Sequence, residues 1–121
     1  MDLKERLTGV RSHLETLSPE ARQEHTWKRL SALVASAWEK SGEFRARLER
    51  AGLAPSDLRS WEDWPGIPVL RKKELLALQK SGPRLGGLLA CEFGDLTRIY
   101  QSPGPIYDPE GPSRDYWGWT D

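Results

Sequence analysis

The stretch Trp27–Trp38, with the sequence WKRLSALVASAW, carries the strongest helical signal in the chain. Its large apolar side chains recur at steps of three and four residues, which places them on one face of an α-helix. Ser18 and Pro19 predict where this helix begins, because proline is tolerated in a first helical turn. Ser41 predicts its end together with Gly42, which we expect in the left-handed conformation that follows many helices.

Similar spacing predicts helices on both sides of this stretch. Downstream, Phe44 and Leu48 indicate a short helix that ends at Gly52, and residues 71–80 favour another that ends at Ser81. Upstream, an apolar stripe indicates a helix that opens with a capping box of Asp2 and Glu5. The stripe consists of Leu3, Leu7, Val10, Leu14 and Leu17.

The segment 53–70 lacks the helical spacing of the stretches on either side of it. It contains three prolines, which fix φ and remove backbone donors, so long regular elements are not expected there. We interpret it as an ordered connector that is held by Trp61, Trp64, Ile67 and Leu70, with a turn capped by Ser60 and Asp63.

After residue 83 the composition shifts towards glycine, proline and aromatic residues. Thr97–Tyr100 is the best strand candidate, and any strand at Ile106 and Tyr107 must be short or at a sheet edge because prolines flank it. The predicted fold class is therefore mainly α with minor β. Residues 1–83 form a helical N-terminal module, and residues 84–121 form a loop with one or two short strands.

The composition of the chain argues against nucleic acid and membranes as partners. The chain has 121 residues, and its 18 basic and 18 acidic side chains give a formal net charge of zero, so no field attracts nucleic acid or an anionic membrane. One cysteine excludes an intrachain disulfide. No apolar run reaches the ~18 residues of a membrane span, and the N-terminus has no signal-peptide core. These features predict a cytoplasmic protein with neither nucleic acid nor membrane as a partner.

A series of short motifs occurs in a characteristic order. It comprises EFR at 43–45, GLAPSDL at 52–58, SWEDW at 60–64, IPVLRKKEL at 67–75, GLLA at 87–90 and RIYQSPG at 98–104. The series resembles the N-terminal part of the phenylacetate–coenzyme A ligase family, among the adenylate-forming enzymes, or AMP-dependent synthetases and ligases. The resemblance implies that residues 84–121 correspond to the start of an α/β adenylation domain. It also implies that full-length relatives use ATP, Mg²⁺ and coenzyme A to convert an aryl or acyl carboxylate, through an adenylate, into a thioester.

The phosphate loop of that family reads Ser-Ser-Gly-Thr-Thr-Gly, followed by Lys-Pro. At the corresponding positions of this chain, only Ser102 and Gly104 match. Pro103 and Pro105 each remove an N–H donor, and Tyr107 replaces a glycine. Ser102 and Gly104 are thus the candidate cofactor-binding residues of a degenerate phosphate loop. The alternative is an ordinary Pro-Gly turn between two short strands.

No catalytic residue and no metal ligand is assigned. The family's acidic magnesium-binding motif, adenine-contacting segment and catalytic lysine all lie beyond this loop, and the chain ends at Asp121. We therefore expect an N-terminal fragment that is inactive alone and binds no cofactor, with the remainder of a ligase or a second copy as its partner. The alternative is a stand-alone helical module for interaction or small-ligand binding. Asp108 and Glu110 are interpreted as a solvated turn, and Cys91 as a half-buried structural residue.

Overall fold

The structure is a computed structural model that describes residue 9 and residues 13–112. Three α-helices, α1 (Pro19–Lys40), α2 (Gly42–Arg50) and α3 (Lys72–Ser81), are followed by the strands β1 (Arg98–Ser102) and β2 (Ile106–Glu110). Short 3₁₀ turns occupy His13–Thr16, Pro55–Asp57, Trp64–Gly66, Arg84–Gly87 and Phe93–Asp95. The predicted class, mainly α with minor β at the C-terminal end, is confirmed.

The start of α1 follows the sequence signals. Pro19 is its first residue, and the Ser18 hydroxyl accepts a hydrogen bond from the Ala21 N–H at 3.2 Å. Upstream, the structure describes the predicted apolar helix at Gly9 and from residue 13 on. Gly9 has φ +68°, which is not helical, and His13–Thr16 form a single 3₁₀ turn, so the α-helix predicted through Leu17 is not formed at these residues. The rest of that stripe and its capping box at Asp2 lie outside the described residues.

The junction of α1 and α2 differs from the prediction. Ser41 has an extended backbone, with φ −106°. Its N–H donates a hydrogen bond to the Ala37 carbonyl at 2.8 Å, which ends α1. Its hydroxyl accepts a hydrogen bond from the Phe44 N–H at 3.4 Å, which caps α2. One residue therefore ends α1 and caps α2, and no left-handed residue is needed. The prediction that Gly42 is a left-handed terminator is wrong, because Gly42 is the first residue of α2.

The end of α2 is confirmed at Gly52, which adopts φ +70°. Its N–H donates to the Glu49 carbonyl at 2.9 Å, and the Leu53 N–H donates to the Leu48 carbonyl at 3.0 Å. This pair of bonds is a Schellman motif, in which glycine adopts the left-handed conformation without a Cβ penalty.

One type of hydrogen bond recurs in the connector and at the start of α3: a carboxylate accepts from the backbone N–H of the residue three positions earlier. The pairs are Asp57 with Ala54 (2.8 Å), Asp63 with Ser60 (2.9 Å) and Glu74 with Arg71 (2.8 Å). Each pair satisfies a donor at the start of a turn or helix. The three acids stand in the GLAPSDL, SWEDW and IPVLRKKEL motifs, so these motifs direct the path of the chain.

The strands form a two-stranded antiparallel hairpin, in register from Arg98 opposite Glu110 to Ser102 opposite Ile106. The hairpin packs against α3, where a Cβ at Gly104 would lie 3.5 Å from Leu76. Among the described residues, the buried hydrophobic side chains are those of Val34, Leu48 and Ile106, one each from α1, α2 and β2. The predicted boundary between residues 83 and 84 stays a prediction. No helix in the described part of the chain has the length and apolarity to cross a bilayer.

Candidate functional site

The candidate phosphate loop is the connection of the β1–β2 hairpin. Pro103, Gly104 and Pro105 link the strands, so Ser102 and Gly104 lie together at the tip, as the sequence predicts. Ser102 is half-buried, whereas Gly104 is exposed and adopts φ +151°. The tip therefore offers one serine hydroxyl beside a backbone turn in which every second residue is proline.

Few backbone donors of this tip are available to an anion. The positions 103 and 105 have no N–H, because both are proline. The Tyr107 N–H donates to Gln79 Oε1 at 3.0 Å, and the Tyr107 carbonyl accepts from Gln79 Nε2 at 2.8 Å. Of the loop positions after Ser102, only Gly104 and Ile106 keep an N–H outside this contact, and Ile106 pairs with Ser102 in the hairpin register. These residues do not fit a triphosphate, which needs several converging N–H donors.

Gln79 was not among the residues singled out from the sequence. It lies one helical turn after the half-buried Leu75 and Leu76, so the helical period places it on the same face. That spacing could have indicated an inward-facing amide. Its partner, Tyr107, lies 28 positions away, and no local pattern connects the two residues.

A tryptophan cluster borders a second candidate site. The Trp27 and Trp61 ring centroids lie 5.2 Å apart at 55°, and those of Trp61 and Trp64 lie 6.5 Å apart at 62°. The adjoining cavity has a volume of about 20 Å³, which is room for one water, whereas an engineered protein cavity that binds benzene measures about 150 Å³. Its lining consists of Trp27, Ser31, Val34, Pro55, Leu58 and Trp64. The Ser31 hydroxyl oxygen is buried and has no hydrogen-bond partner among the described residues, so this site suits a water and has no preformed space for an aryl ring.

The remaining candidates are structural. Asp108 and Glu110, interpreted from sequence as a solvated turn, both lie in β2, where Glu110 Oε2 accepts a hydrogen bond from the Tyr100 hydroxyl at 3.3 Å. Pro109 between them removes a donor that faces the outer edge, so the strand continues through it. Cys91 is half-buried, as expected. Within the described residues, no group of three or more His, Cys, Asp or Glu side chains is placed to hold a metal ion.

Electrostatic interactions reinforce the connector. Asp63 Oδ2 accepts hydrogen bonds from the N–H groups of Arg59 at 2.8 Å and Ser60 at 2.9 Å. These bonds hold the pKa of the Asp63 carboxyl below its ordinary value, because they favour the charged form. The Asp63 carboxylate therefore caps the turn that carries Trp61.

The chain is similar to coenzyme A ligases in sequence and in structure. No protein-family profile matches the chain. Phenylacetate-coenzyme A ligase of Thermus thermophilus is 32% identical over 96 residues, which are 79% of this chain and 20% of that protein. The crystal structure of an open conformation of 2-hydroxyisobutyryl-CoA ligase, in complex with 2-HIB-AMP and CoA, superimposes with a TM-score of 0.73 and 26% identity over 79% of this chain and 21% of that chain. The same ligase in its thioesterification state gives a TM-score of 0.70, 25% identity, and coverage of 80% and 21%. The chain spans about a fifth of the length of these relatives.

Proposed function

We propose that this chain, which corresponds in sequence and fold to an N-terminal segment of phenylacetate–coenzyme A ligase-like, adenylate-forming proteins, provides the helical front of an acid–CoA ligase and does not form adenylates by itself. The observation that supports this most strongly is the hairpin tip. It keeps the position of a phosphate loop but offers an anion few donors, because Pro103 and Pro105 have no N–H and the Tyr107 N–H is bonded to Gln79.

The missing N–H donors are enough to weaken phosphate binding at the hairpin tip severely. A hydrogen bond to a charged group contributes about 1.5–3 kcal/mol. Three missing donors therefore weaken phosphate binding by at least about 4.5 kcal/mol, which is roughly a thousandfold or more in Kd. The Ser102 hydroxyl and the Gly104 N–H do not compensate for such a loss.

The motifs that carry the likeness to ligases also support a scaffolding role. Asp57, Asp63 and Glu74 each accept a hydrogen bond from the backbone N–H three residues earlier, so each carboxylate stabilises the local backbone. A chain can therefore keep these motifs, and with them the ligase-like fold of this region, while its phosphate loop diverges. We infer that the role of this segment is structural.

For full-length relatives whose phosphate loop keeps its donors, we propose activation of an aryl or acyl carboxylate by Mg²⁺-ATP and transfer of the acyl group to coenzyme A. Support comes from the crystal structure of the similar 2-hydroxyisobutyryl-CoA ligase, which is a complex with 2-HIB-AMP and CoA. The partner of this segment is then the rest of the ligase. The alternative, a stand-alone interaction module, has no support of comparable weight.

Two measurements test this assignment. The chain alone is incubated with Mg²⁺-ATP, labelled pyrophosphate and a panel of aryl and short acyl acids. We expect no acid-dependent incorporation of label into ATP above a protein-free blank, and such incorporation would show that the chain forms adenylates. The nucleotide sequence after codon 121 is then read for an in-frame ligase. A stop codon followed by no ligase reading frame would favour the stand-alone module.

A further inference from the structure

Gln79 places a side-chain amide directly against the hairpin tip. Its Oε1 accepts a hydrogen bond from the Tyr107 N–H at 3.0 Å, and its Nε2 donates to the Tyr107 carbonyl at 2.8 Å. Both lengths lie in the ordinary range for N–H···O bonds. Both partners lie within the described residues, so the contact that joins α3 to β2 does not need any other part of a longer protein.

The stem of the Gln79 side chain is fixed by packing. A Cβ at Gly86 would lie 3.5 Å from Gln79 Cγ and 3.2 Å from Leu78 Cβ, so the Gly86 backbone lies directly on this part of α3. Gly86 is buried and has φ +73°, a conformation that favours glycine. The stem has thus already lost rotamer freedom, and the two bonds with Tyr107 cost little further entropy.

The Gln79 carboxamide also takes the place of an anion. Tyr107 occupies the position of the last glycine of the ligase phosphate loop, and its backbone N–H is a single donor. With the Gln79 oxygen at 3.0 Å this donor is already paired, so a phosphate oxygen can use it only after the carboxamide leaves. Pro103 and Pro105 remove their donors through covalent structure, whereas Gln79 blocks one through a reversible contact.

We propose that Gln79 closes the hairpin tip to phosphate-chain anions, as an autoinhibitory contact that acts together with Pro103 and Pro105. Gln79 has this role only if the tip is the counterpart of a phosphate loop, as the proposed function holds. It acts through the Tyr107 N–H and is therefore a positioning residue. Its release frees a donor for a charged acceptor, which should strengthen anion binding by about 10-fold or more.

Binding of inorganic pyrophosphate tests this role in a background from which the prolines have been removed. The double variant Pro103→Ser with Pro105→Thr restores the residue types of the ligase loop and two N–H groups. Addition of Gln79→Ala to this background should lower the dissociation constant by about 10-fold or more in an NMR titration up to about 10 mM pyrophosphate. Ser81→Ala, whose hydroxyl donates to the Ala77 carbonyl within α3 at 2.8 Å, is the uncharged matched control and should leave that constant unchanged.

Two readouts separate this role from a general effect on the fold. A looser hairpin alone would weaken binding, so a gain in affinity is a result that a merely structural role of Gln79 does not give. Gln79→Met keeps the length of the side chain without its amide, and it should give the same gain in the same background. In both variants the Tyr107 amide resonance should shift as pyrophosphate is added. Equal, weaker or absent binding in both, or a gain that leaves the Tyr107 resonance in place, would show that Gln79 does not close the tip.

Failure of the proposed function has a different signature. Adenylate formation by the unmodified chain would overturn the proposed function, and it is measured with Gln79 and both prolines in place. The role of Gln79 is decided by the comparison of its two variants with the proline-free double variant, so each result can fail without the other.

Discussion

Replacement of Gln79 by alanine tests how the hairpin tip is held against α3. The Gln79 side-chain amide forms two hydrogen bonds with the Tyr107 backbone, at 2.8 and 3.0 Å, and it is half-buried. Each bond contributes about 0.5–1.5 kcal/mol net, so the pair stabilises docking of β2 by about 1–3 kcal/mol. In Gln79→Ala, water forms part of the lost hydrogen bonds with the Tyr107 backbone. We therefore expect the loss of docking free energy to lie in the lower half of that range. The hairpin should then open from α3 roughly 5- to 30-fold more often.

Hydrogen exchange followed by NMR or mass spectrometry measures this opening directly. We expect protection of the Tyr107 amide to fall by that factor, while protection in α1 stays as it is. Lys80→Ala, one residue along on the exposed side of α3, is the matched control and should leave Tyr107 protected. Unchanged protection of Tyr107 in Gln79→Ala would refute the reasoning, because the tip would then be held by Ile106 packing alone.

Three further substitutions or conditions test the packing and the caps. A Cβ at Gly82 would lie 2.5 Å from a backbone carbonyl oxygen, so Gly82→Ala should lower the free energy of unfolding by about 1–3 kcal/mol in thermal denaturation, whereas Gly94→Ala, with nothing within 4 Å, should change it little. Leu48 is 0% exposed, so Leu48→Ala should cost about 2–5 kcal/mol in denaturant titration, against less than about 0.5 kcal/mol for Leu33→Ala, which is 63% exposed. The pKa of Asp63 is lowered in the folded chain, so its contribution to stability is present above the ordinary value of 3.8 and is lost as the pH falls through the folded-state value. An NMR titration in which the Asp63 carboxyl protonates at or above its ordinary pKa would contradict the cap.

The helices were predictable because their signals are local. The apolar spacing of Trp27–Trp38, the cap at Ser18 and the stop at Gly52 each act within a few residues, and the structure confirms the helix, its cap and the stop. One member of the apolar stripe is an exception, because Leu33 is 63% exposed. Gly42 was predicted wrongly because two local signals compete at the same place. The hydroxyl of Ser41 caps the following helix, and this removes the need for a left-handed glycine.

Contacts between distant segments were not predictable. The Ser41 hydroxyl donates to the Gly87 carbonyl at 3.4 Å across 46 positions, and Gln79 reaches Tyr107 across 28. Such pairs depend on how the helices pack, and a single sequence carries no pattern for them. The position of the candidate loop could therefore be predicted, as could its missing proline donors, but the loss of the Tyr107 N–H to Gln79 could not.

Calorimetric titration of the chain with Mg²⁺-ATP is the most direct measurement of the central claim, that the hairpin tip keeps the position of a phosphate loop without its donors. A Ser102→Ala variant measured in parallel shows whether any heat arises at the tip. We expect no binding with a dissociation constant below about 100 μM, a value that corresponds to about −5.5 kcal/mol. Tighter binding that Ser102→Ala weakens would contradict the account, because the proline-containing tip would then be a working phosphate site.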